Sequence, residues 1–447
     1  MSFNETELGM IPDDWEVKQI GEIGKVVGGG TPKTKIEEYW NGNISWITPK
    51  DLSGYSDRFI YKGERSITKV GLENSSAKLL SKGTVLFSSR APIGYVAIAG
   101  KDVSTNQGFK SIVCNERVTY NLFLYYLMKQ KKTDIEMIAG GSTFKEVSGK
   151  VVKEFKIQIP PLTEQKAIAN ILSTLDEKIE INNRINKDLE EMAQIIFKHW
   201  FVDFEFPNEE GKPYKSSGGE MVESELGLIP KGWKVKAIEE TLDFVIGGDW
   251  GKEKENDDFS QKIYCIRGAD FPDLQNGNKA DIPIRYIKEN SFKKRNLLDG
   301  DIILEISGGT KGRPTGRTIY IHKGMINDYD NVLSFSNFCR VMRTNSVLDS
   351  KILYLYLQFL YDSGVMETHQ VQSTGISNFQ FKSFIASKQV VISDKGIQDK
   401  FSGIIEKLYQ KKNTYESYRL KLIRDNLLPK LMSGEIRVPL KSKSDAL

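Results

Sequence analysis

The sequence predicts an α+β fold in which two related, strand-rich globular domains alternate with two long helices. The first observation is an internal repeat, because residues 7–18 return as residues 225–236, an offset of 218 residues. The second is a series of short apolar runs between turn-forming residues, a pattern typical of strands joined by turns. The third is a heptad pattern that follows each strand-rich part. Together they predict tandem domains and long helices with a pseudo-two-fold relation inside one chain.

The repeat opens with Glu7-Leu-Gly-Met-Ile-Pro and again with Glu225-Leu-Gly-Leu-Ile-Pro, and a tryptophan follows each copy. Its period is far longer than the roughly 20–50 residues of a solenoid repeat, so a whole domain is duplicated. Further matches join residues 26–29 to 245–248, 46–52 to 265–271, and 82–86 to 299–303. One helix is predicted in each half, at residues 120–128 and 352–361. A duplicated domain indicates a protein that handles two similar objects, or one object with two similar parts.

Each globular part is followed by a predicted long helix. Prolines at 160–161 are excluded from a helix interior and Thr163 is a suitable N-cap, so the first helix is predicted from Thr163 to about Trp200. The second is predicted from about Ser393 to Met432. We expect the two helices to pack on each other as an antiparallel coiled coil. Two separate amphipathic helices are the alternative.

The predicted helix seams have alternating spacings of four and three residues. Every seam position in the second helix lies 233 residues after its counterpart in the first. Lys178 and Lys411 interrupt the two seams at the same place. The first seam also contains Ile171, Leu175, Asn182, Ile185, Leu189, Met192 and Ile196, and the second contains Ile404, Leu408, Tyr415, Tyr418 and Leu422.

These patterns predict six consecutive regions. They are a first globular domain over residues 1–160, a central helix and spacer over 161–206, a polar linker over 207–224, a second globular domain over 225–392, a C-terminal helix over 393–436 and a polar tail over 437–447.

The composition sets further bounds. The 447 residues include 63 basic and 59 acidic side chains, a formal net charge of +4, which is weak evidence for nucleic acid because the distribution of charge matters more than its total. No apolar run reaches 18 residues and the N-terminus is acidic, so we expect a cytoplasmic protein without a membrane helix. Cys114, Cys265 and Cys339 lack metal-ligand spacing, so we expect free thiols and no metal site.

Motifs for catalysis are weak. Residues 28–34 resemble part of a phosphate loop, but Pro32 removes an N–H group and no glycine precedes Lys33. Ile159 stands where the Pro-Pro motif of amino-methyltransferases needs Asn or Asp. Residues 154–156 pair a carboxylate with a lysine, as many nucleases do, without a recognisable upstream acid. The residues therefore favour a two-headed binding protein over an enzyme.

Four segments, two of them copies of one motif, carry a family resemblance. The Glu-Leu-Gly-x-Ile-Pro-x-x-Trp opening at residues 7–15 and 225–233 resembles the specificity (S) subunit of type I restriction–modification systems. So do Ile159-Pro-Pro-Leu-Thr-Glu-Gln-Lys-Ala-Ile168 and Leu427-Leu-Pro-Lys-Leu-Met-Ser-Gly-Glu-Ile436. The resemblance covers nearly the whole chain. It implies a non-catalytic subunit with two target-recognition domains, each reading one half of a bipartite, asymmetric DNA site.

The resemblance also implies the partners. They are double-stranded DNA, two methyltransferase (M) subunits that dock on the helices, and restriction (R) subunits in the complete complex. The helices would set the spacer between the two half-sites. S-adenosylmethionine, ATP and Mg would be used by the partner subunits, and no cofactor is expected in this chain.

Direct reading of bases requires Arg, Lys, Asn, Gln, Ser or Thr side chains on exposed loops. The glycine-rich segment at residues 308–317 and the turn at residues 88–94 meet this requirement best. In the first domain the candidates are Lys33, Lys35, Lys50, Ser89, Arg90, Asn106, Gln107 and Thr143. In the second they are Lys252, Arg267, Lys311, Arg313, Arg317, Asn331 and Ser373.

Two other functions remain open at this point. A DNA methyltransferase or nuclease with an unrecognised site would be active as the purified chain with S-adenosylmethionine or Mg²⁺. A duplicated-domain protein scaffold without DNA specificity would form its complexes regardless of DNA.

Overall fold

The computed structural model describes residues 2–140, 145–275, 280–308, 314–373, 376–412 and 414–438. Contacts divide the chain into two compact units. The first unit combines the chain up to Ile181 with the chain from Arg419 onward, and the second spans Asn182–Tyr418. Each long helical region is therefore divided between the two units.

The first unit is built from short strands and helices. Its strands are β1 (Phe3–Thr6), β2 (Gly9–Pro12), β3 (Glu16–Gln19), β4 (Gly24–Gly28), β5 (Trp40–Ile47), β6 (Phe59–Ile60), β7 (Arg65–Ile67), β8 (Val85–Ser89), β9 (Ile93–Ala99), β10 (Val103–Thr105), β11 (Lys110–Cys114) and β12 (Lys156–Ile159). Its helices are α1 (Ile20–Ile23), α2 (Lys69–Glu73), α3 (Asn121–Gln130), α4 (Lys132–Met137), α5 (Gly149–Glu154) and the first part of α6 (Leu162–Phe197).

A five-stranded sheet in the order β4-β11-β8-β9-β6 forms the centre of the first unit. A second sheet, β10-β5-β7, pairs β10 parallel to β5, and β3 pairs with β12. Strand β8 is buried along its whole length, which explains why it is apolar on both faces up to Phe87. Helix α3 packs its aromatic residues into the largest core of this unit.

The second unit repeats this plan. Its strands are β13 (Met221–Ser224), β14 (Gly227–Pro230), β15 (Lys234–Ala237), β16 (Leu242–Gly247), β17 (Gln261–Ile266), β18 (Ile284–Ile287), β19 (Ile302–Glu305), β20 (Ser307–Gly308), β21 (Thr318–Tyr320), β22 (Leu333–Phe335), β23 (Cys339–Thr344), β24 (Gln370–Ser373), β25 (Ile376–Phe379) and β26 (Gln389–Ile392). Its helices are the second part of α6, then α7 (Phe271–Gln275), α8 (Glu289–Arg295), α9 (Lys323–Asp328), α10 (Ser350–Asp362), α11 (Phe381–Ser387), α12 (Lys395–Gln410) and the start of α13 (Thr414–Met432).

Strand pairing confirms the duplication. The order β16-β23-β19 reproduces β4-β11-β8, the pair β15–β26 reproduces β3–β12, and the parallel pair β17–β22 reproduces β5–β10. The second unit also contains a small sheet, β20-β25-β24, whose pair Ser307–Asn378 corresponds to the bridge Arg90–Glu146 of the first unit. Helices α3 and α10 confirm the one predicted helix in each half.

The repeat begins earlier than predicted. Strand β13 lies inside the predicted linker and forms a hairpin with β14, as β1 does with β2. The register is the same in both hairpins, since Thr6 faces Gly9 and Ser224 faces Gly227. The hairpin is therefore part of the duplicated domain.

The helix termini differ from the prediction in two places. Helix α6 begins at Leu162, and the carbonyl of Pro161 accepts its first amide hydrogen bonds, so Thr163 lies inside the first turn instead of capping it. The predicted C-terminal helix is two helices, because α12 ends at Gln410 and α13 begins at Thr414. Asn and Thr in this segment have low helix propensity, which favours an interruption there.

Antiparallel contacts join the helices inside each unit. In the first unit Asp176 pairs with Arg424 at 2.6 Å and Glu164 pairs with Arg437 at 2.7 Å, so one partner rises in number as the other falls.

In the second unit Asn182 donates to Glu416 at 2.8 Å, Glu190 pairs with Lys412 at 2.6 Å, and the rings of Phe197 and Phe401 lie 6.4 Å apart. The predicted antiparallel pairing is confirmed within each unit.

The predicted seam of α6 is displaced by about one residue. Leu189 is buried as predicted, but Ile185, Met192 and Leu422 are exposed. Ile171, Leu175, Ile404, Leu408 and Tyr418 are half-buried, and the side chain of Tyr415 lies outside the described residues. The buried positions of α6 include Leu172, Asp176, Ile179, Asn182, Asn186, Leu189, Ala193 and Phe197.

The displacement has a physical reason. Polar residues occupy buried seam positions because partner groups satisfy them. Asp176 accepts from Arg424 and from the Tyr126 hydroxyl, and Asn182 donates to Glu416. A seam sought mainly among apolar residues therefore misses Asp176, whereas Asn182 was predicted for the seam and is buried.

The three cysteines are free thiols, as predicted. Burial raises the pKa of each thiol to about 12. Among the described residues no helix is long and apolar enough to cross a membrane. Within the same residues, no cluster of three His, Cys, Asp or Glu side chains could hold a metal ion.

Candidate nucleic-acid interface

The loop after β4 is pressed against the turn between β10 and β11. The amide of Gly29 donates to the Phe109 carbonyl at 3.3 Å, and that of Gly30 donates to the Thr105 carbonyl at 2.8 Å. A Cβ atom at Gly29 would lie 1.9 Å from the carbonyl oxygen of Asn106. This position therefore requires glycine because of the close backbone approach.

Two tryptophans fix the rest of the loop. The indole of Trp46 donates to the Gly30 carbonyl at 2.9 Å, and that of Trp40 donates to the Lys33 carbonyl at 3.2 Å. The guanidinium of Arg65 stacks 3.5 Å from the centre of the Trp40 ring. Lys33 is thereby presented to solvent on a loop whose backbone is fixed.

A polar network extends from this loop across the sheet edge. The Thr31 hydroxyl donates to the Gln107 side chain, and Lys110 donates to the Gln107 carbonyl at 3.4 Å. Glu146 lies 3.5 Å from Lys110 and 3.3 Å from Arg90. Four separate segments meet here, with two cations against one carboxylate. We call Thr31, Lys33, Arg90, Gln107, Lys110 and Glu146 the first surface.

Most predicted residues of the first domain are accessible. Lys33, Lys35 and Gln107 are exposed and Arg90 is half-exposed. Lys50 is exposed and pairs with Glu64 at 2.7 Å, and this hydrogen bond raises the pKa of Lys50. The side chain of Asn106 is half-buried and accepts from the Gly108 amide at 2.9 Å, so it shapes the turn.

One prediction in this domain is wrong and one is outside the description. Ser89 is fully buried and its hydroxyl donates to the Gly108 carbonyl at 3.2 Å, because β8 continues through the first two residues of the predicted turn. It is not available to a base. Thr143 lies outside the described residues.

The loop after β16 has the same backbone arrangement in the second unit. The amides of Gly248 and Asp249 donate to the carbonyls of Cys339 and Phe335, at 3.2 and 3.0 Å. A Cβ atom at Gly248 would lie 2.1 Å from the Ser336 carbonyl oxygen. The side chains of this loop differ from those of the first.

An arginine again stacks on a tryptophan here. The guanidinium of Arg285 lies 4.3 Å from the Trp250 ring centre and donates to the Trp250 carbonyl at 3.1 Å. The Asp249 carboxylate accepts from the Ser291 hydroxyl at 2.5 Å. These contacts fix the loop by different residues from those of the first unit.

Equivalent hydrogen bonds identify equivalent positions. Ile306 donates to the Phe338 carbonyl at 2.8 Å, as Ser89 donates to that of Gly108 at 2.7 Å. One residue further on, Ser307 faces Asn378, as Arg90 faces Glu146.

The Ser307 hydroxyl donates to the Asn378 side chain at 2.8 Å, so a neutral pair stands where the first unit has an ion pair. Arg340 pairs with Gly247 of β16 as Lys110 pairs with Gly28 of β4, so the two cations occupy equivalent positions. We call Lys252, Ser307, Arg340 and Asn378 the second surface.

The predicted residues of the second domain have mixed outcomes. Lys252 and Asn331 are exposed. Arg267 is partly exposed and its hydrogen bonds to Asp270 raise its pKa. Lys311 and Arg313 lie outside the described residues, as does the side chain of Ser373 in β24.

Arg317 is a wrong prediction. Its guanidinium is largely buried, pairs with the buried carboxylate of Glu305 at 2.6 Å and donates to the Gly268 carbonyl at 2.7 Å. A buried carboxylate requires such a partner, so Arg317 stabilises the fold.

Sequence reasoning missed Lys110, Glu146, Ser307, Arg340 and Asn378. These residues come together through strand pairing between segments distant in the chain. The strand register of the duplicated halves is the signal that identifies them.

Comparisons with known proteins agree with this arrangement. Residues 12–191 match the family model described as "Type I restriction modification DNA specificity domain". The type I restriction enzyme MjaIX specificity subunit of Methanocaldococcus jannaschii is 37% identical over 455 residues, covering 98% of this chain and 96% of that protein.

The MjaVIII specificity subunit of the same organism is 25% identical over 363 residues, covering 80% of this chain and 78% of that protein. The solved S subunit of a type I restriction–modification system from M. genitalium aligns with a TM-score of 0.51 at 18% identity, covering 94% of this chain and 96% of that chain. That likeness shows the fold.

In each unit the glycine loop lies close to the backbone of the neighbouring turn, and this gives a test with matched controls. We expect Gly29→Ala and Gly248→Ala each to lower the free energy of unfolding by about 1–3 kcal/mol, because the added methyl group overlaps a backbone carbonyl. Gly28→Ala and Gly247→Ala are the controls, since a Cβ atom there meets nothing within 4 Å. Urea unfolding of the full chain measures all four variants. Equal losses at the test and control positions would contradict the assignment.

Proposed function

The chain belongs to the specificity subunits of type I restriction enzymes, and we propose that each of its two units reads one half of a bipartite DNA site. As a member of this family it is a non-catalytic DNA-specificity subunit that works with other restriction–modification subunits. The scaffold alternative is not favoured. The division of the reading between the two units is the part that we infer.

The observation that carries this proposal is that the two units share the same backbone arrangement at the sheet edge, while the side chains of the first and second surfaces differ. Gly29 and Gly248 make the same close backbone approach, and the strand registers around them agree. At equivalent positions, Arg90 with Glu146 is replaced by Ser307 with Asn378. Two domains that read the same sequence would have no reason to differ there.

The side chains of the first and second surfaces suit different bases. An arginine side chain pairs well with the O6 and N7 atoms of guanine, and a carboxylate accepts from the cytosine amino group. An asparagine side chain pairs with the N6 and N7 atoms of adenine. We therefore expect a G·C preference from the first surface and an A·T preference from the second.

Helix α6 contributes residues to both units and is continuous over 36 residues, or about 54 Å. We propose that this helix and its antiparallel partners set the spacer between the half-sites. A fixed distance between two reading surfaces requires a fixed number of base pairs between their targets.

The proposed partners are double-stranded DNA, two methyltransferase subunits and, in the complete complex, restriction subunits. One repeated feature supports a partner in two copies. The duplicated hairpins expose the same apolar positions, Leu8 and Met10 in one and Leu226 and Leu228 in the other. Exposed apolar side chains in equivalent places mark a repeated docking site.

Helix α6 offers a second docking surface. Ile181, Ile185, Met192 and Ile195 are exposed along it, and Ile185 and Met192 were predicted for the helix seam. We infer that these residues face a methyltransferase subunit. S-adenosylmethionine, ATP and Mg would then be bound by the partners, and the assembly would act on DNA in the cytoplasm.

The two reading surfaces can be tested separately. We expect Arg90→Ala to cost about 1–3 kcal/mol of base discrimination at the first half-site and to leave the second unchanged. Asn378→Ala should do the reverse. Each variant is purified with its methyltransferase partner, and its preferences are measured by selection from random duplex DNA. A loss at both half-sites from either single variant would contradict the assignment.

The spacer can be tested by lengthening the helices. Four residues inserted after Asn183 in α6, with four more after Glu416 at the facing position of α13, lengthen the paired helices by about 6 Å. The selected spacer should grow by one or two base pairs, since each base pair rises about 3.4 Å. Four residues inserted at Gly211, an exposed turn of the linker, are the control. An unchanged spacer in the helix variant would show that the helices do not set it.

A further inference from the structure

Phe338 is a large apolar side chain held in solvent on a fixed turn. It is 54% exposed, although its neighbours Ser336 and Cys339 are fully buried. The Cys339 amide donates to the Ser336 carbonyl at 2.9 Å, and the Ser336 amide donates to the Ile266 carbonyl at 2.9 Å. These hydrogen bonds fix the backbone of the turn that carries Phe338.

The carbonyl of Phe338 is fixed as well. It accepts from the amides of Ile306 at 2.8 Å and Ser307 at 3.3 Å. Both sides of the residue are therefore tied to the sheet edge. The ring is carried by a fixed backbone beside the second surface.

Polar groups flank the ring on this surface. Ser307, whose amide donates to Phe338, also holds the side chain of Asn378 at 2.8 Å. Arg340 follows Phe338 two residues later, in strand β23. An apolar group near hydrogen-bonding groups and a cation suits a ligand whose edge carries both an apolar group and hydrogen-bonding groups.

The first unit has no such side chain at the equivalent position. Gly108 is the equivalent of Phe338. Its carbonyl accepts from the Ser89 amide, as the Phe338 carbonyl accepts from the Ile306 amide. Gly108 is buried and its amide donates to Asn106. Of the two equivalent turns, only the one in the second unit therefore carries an aromatic ring.

We propose that Phe338 reads thymine in the second half-site by contact with the C5-methyl group. Among the groups that the four bases of DNA present in the major groove, the thymine methyl is apolar while the others donate or accept hydrogen bonds. An exposed ring on a turn that is hydrogen-bonded to Ser307 and followed by Arg340 suits a base edge that carries this methyl group beside hydrogen-bonding groups. This inference rests on the proposed function and adds an apolar reader to the polar ones.

The test compares Phe338→Ala with the wild-type chain, each purified with its methyltransferase partner, on selected duplexes. Removing the contact should weaken the preference for thymine at one position of the second half-site about three- to tenfold. Replacing that thymine by uracil, which lacks the methyl group, should cause the same loss with the wild-type chain. It should cause no further loss with Phe338→Ala. Phe338→Leu should keep part of the preference.

Leu298→Ala is the matched control, because Leu298 is also an exposed apolar residue of the second unit. It should leave the thymine preference unchanged. The inference is overturned if Phe338→Ala keeps every base preference while Arg90→Ala and Asn378→Ala change theirs. It is also overturned if uracil has no effect, or if Phe338→Ala prevents assembly with the methyltransferase, which would make Phe338 a protein contact. A wild-type complex that selects no bipartite sequence would instead reject the proposed function.

Discussion

The antiparallel pairing of helix α6 with the C-terminal helices is the constraint on which the rest of the structure depends. It completes each unit with chain that is distant in sequence. In the first unit Leu431 and Met432 are buried in the main core, and Gln158 donates to the Met432 carbonyl at 2.6 Å. The pairs Asp176–Arg424 and Glu190–Lys412 fix the register of the helices with little solvent exposure. Removing one member of such a pair leaves a buried charge without its partner, a cost of several kcal/mol in typical cases. The register of these helices therefore has little freedom.

On this frame the two units carry the same backbone and different side chains. Gly29 and Gly248 bring their loops onto the neighbouring turn, and an arginine stacked on a tryptophan fixes each loop. The stacking residues come from different places in the two units, so the loops have diverged while the close approach has stayed. A duplicated domain can change its target in this way, because the residues at the sheet edge vary without disturbing the core. The buried pair Arg317–Glu305 shows the limit, since a cation near the edge can be required by the fold.

The duplication, the strand-rich halves and helix α6 were predictable from the sequence because repeats and heptads are local or periodic signals. The one-residue displacement of the seam was not, since Asp176 is buried by virtue of a partner, Arg424, that no periodicity reveals. The heptad pattern also did not predict the interruption before Thr414, because the pattern continues through it. At the candidate surfaces, exposed loops pointed to Lys33, Gln107 and Arg90. The pairing of Arg90 with Glu146, and of Ser307 with Asn378, depends on strand register between segments 56 and 71 residues apart.

Selection from random duplex DNA, using the wild-type chain purified with its co-expressed methyltransferase partner, tests the central claim most directly. The account predicts one enriched motif made of two different half-sites separated by a gap of fixed length. A single contiguous motif would contradict the division of reading between two units. No enrichment from a stable complex would contradict the DNA-reading role of both surfaces.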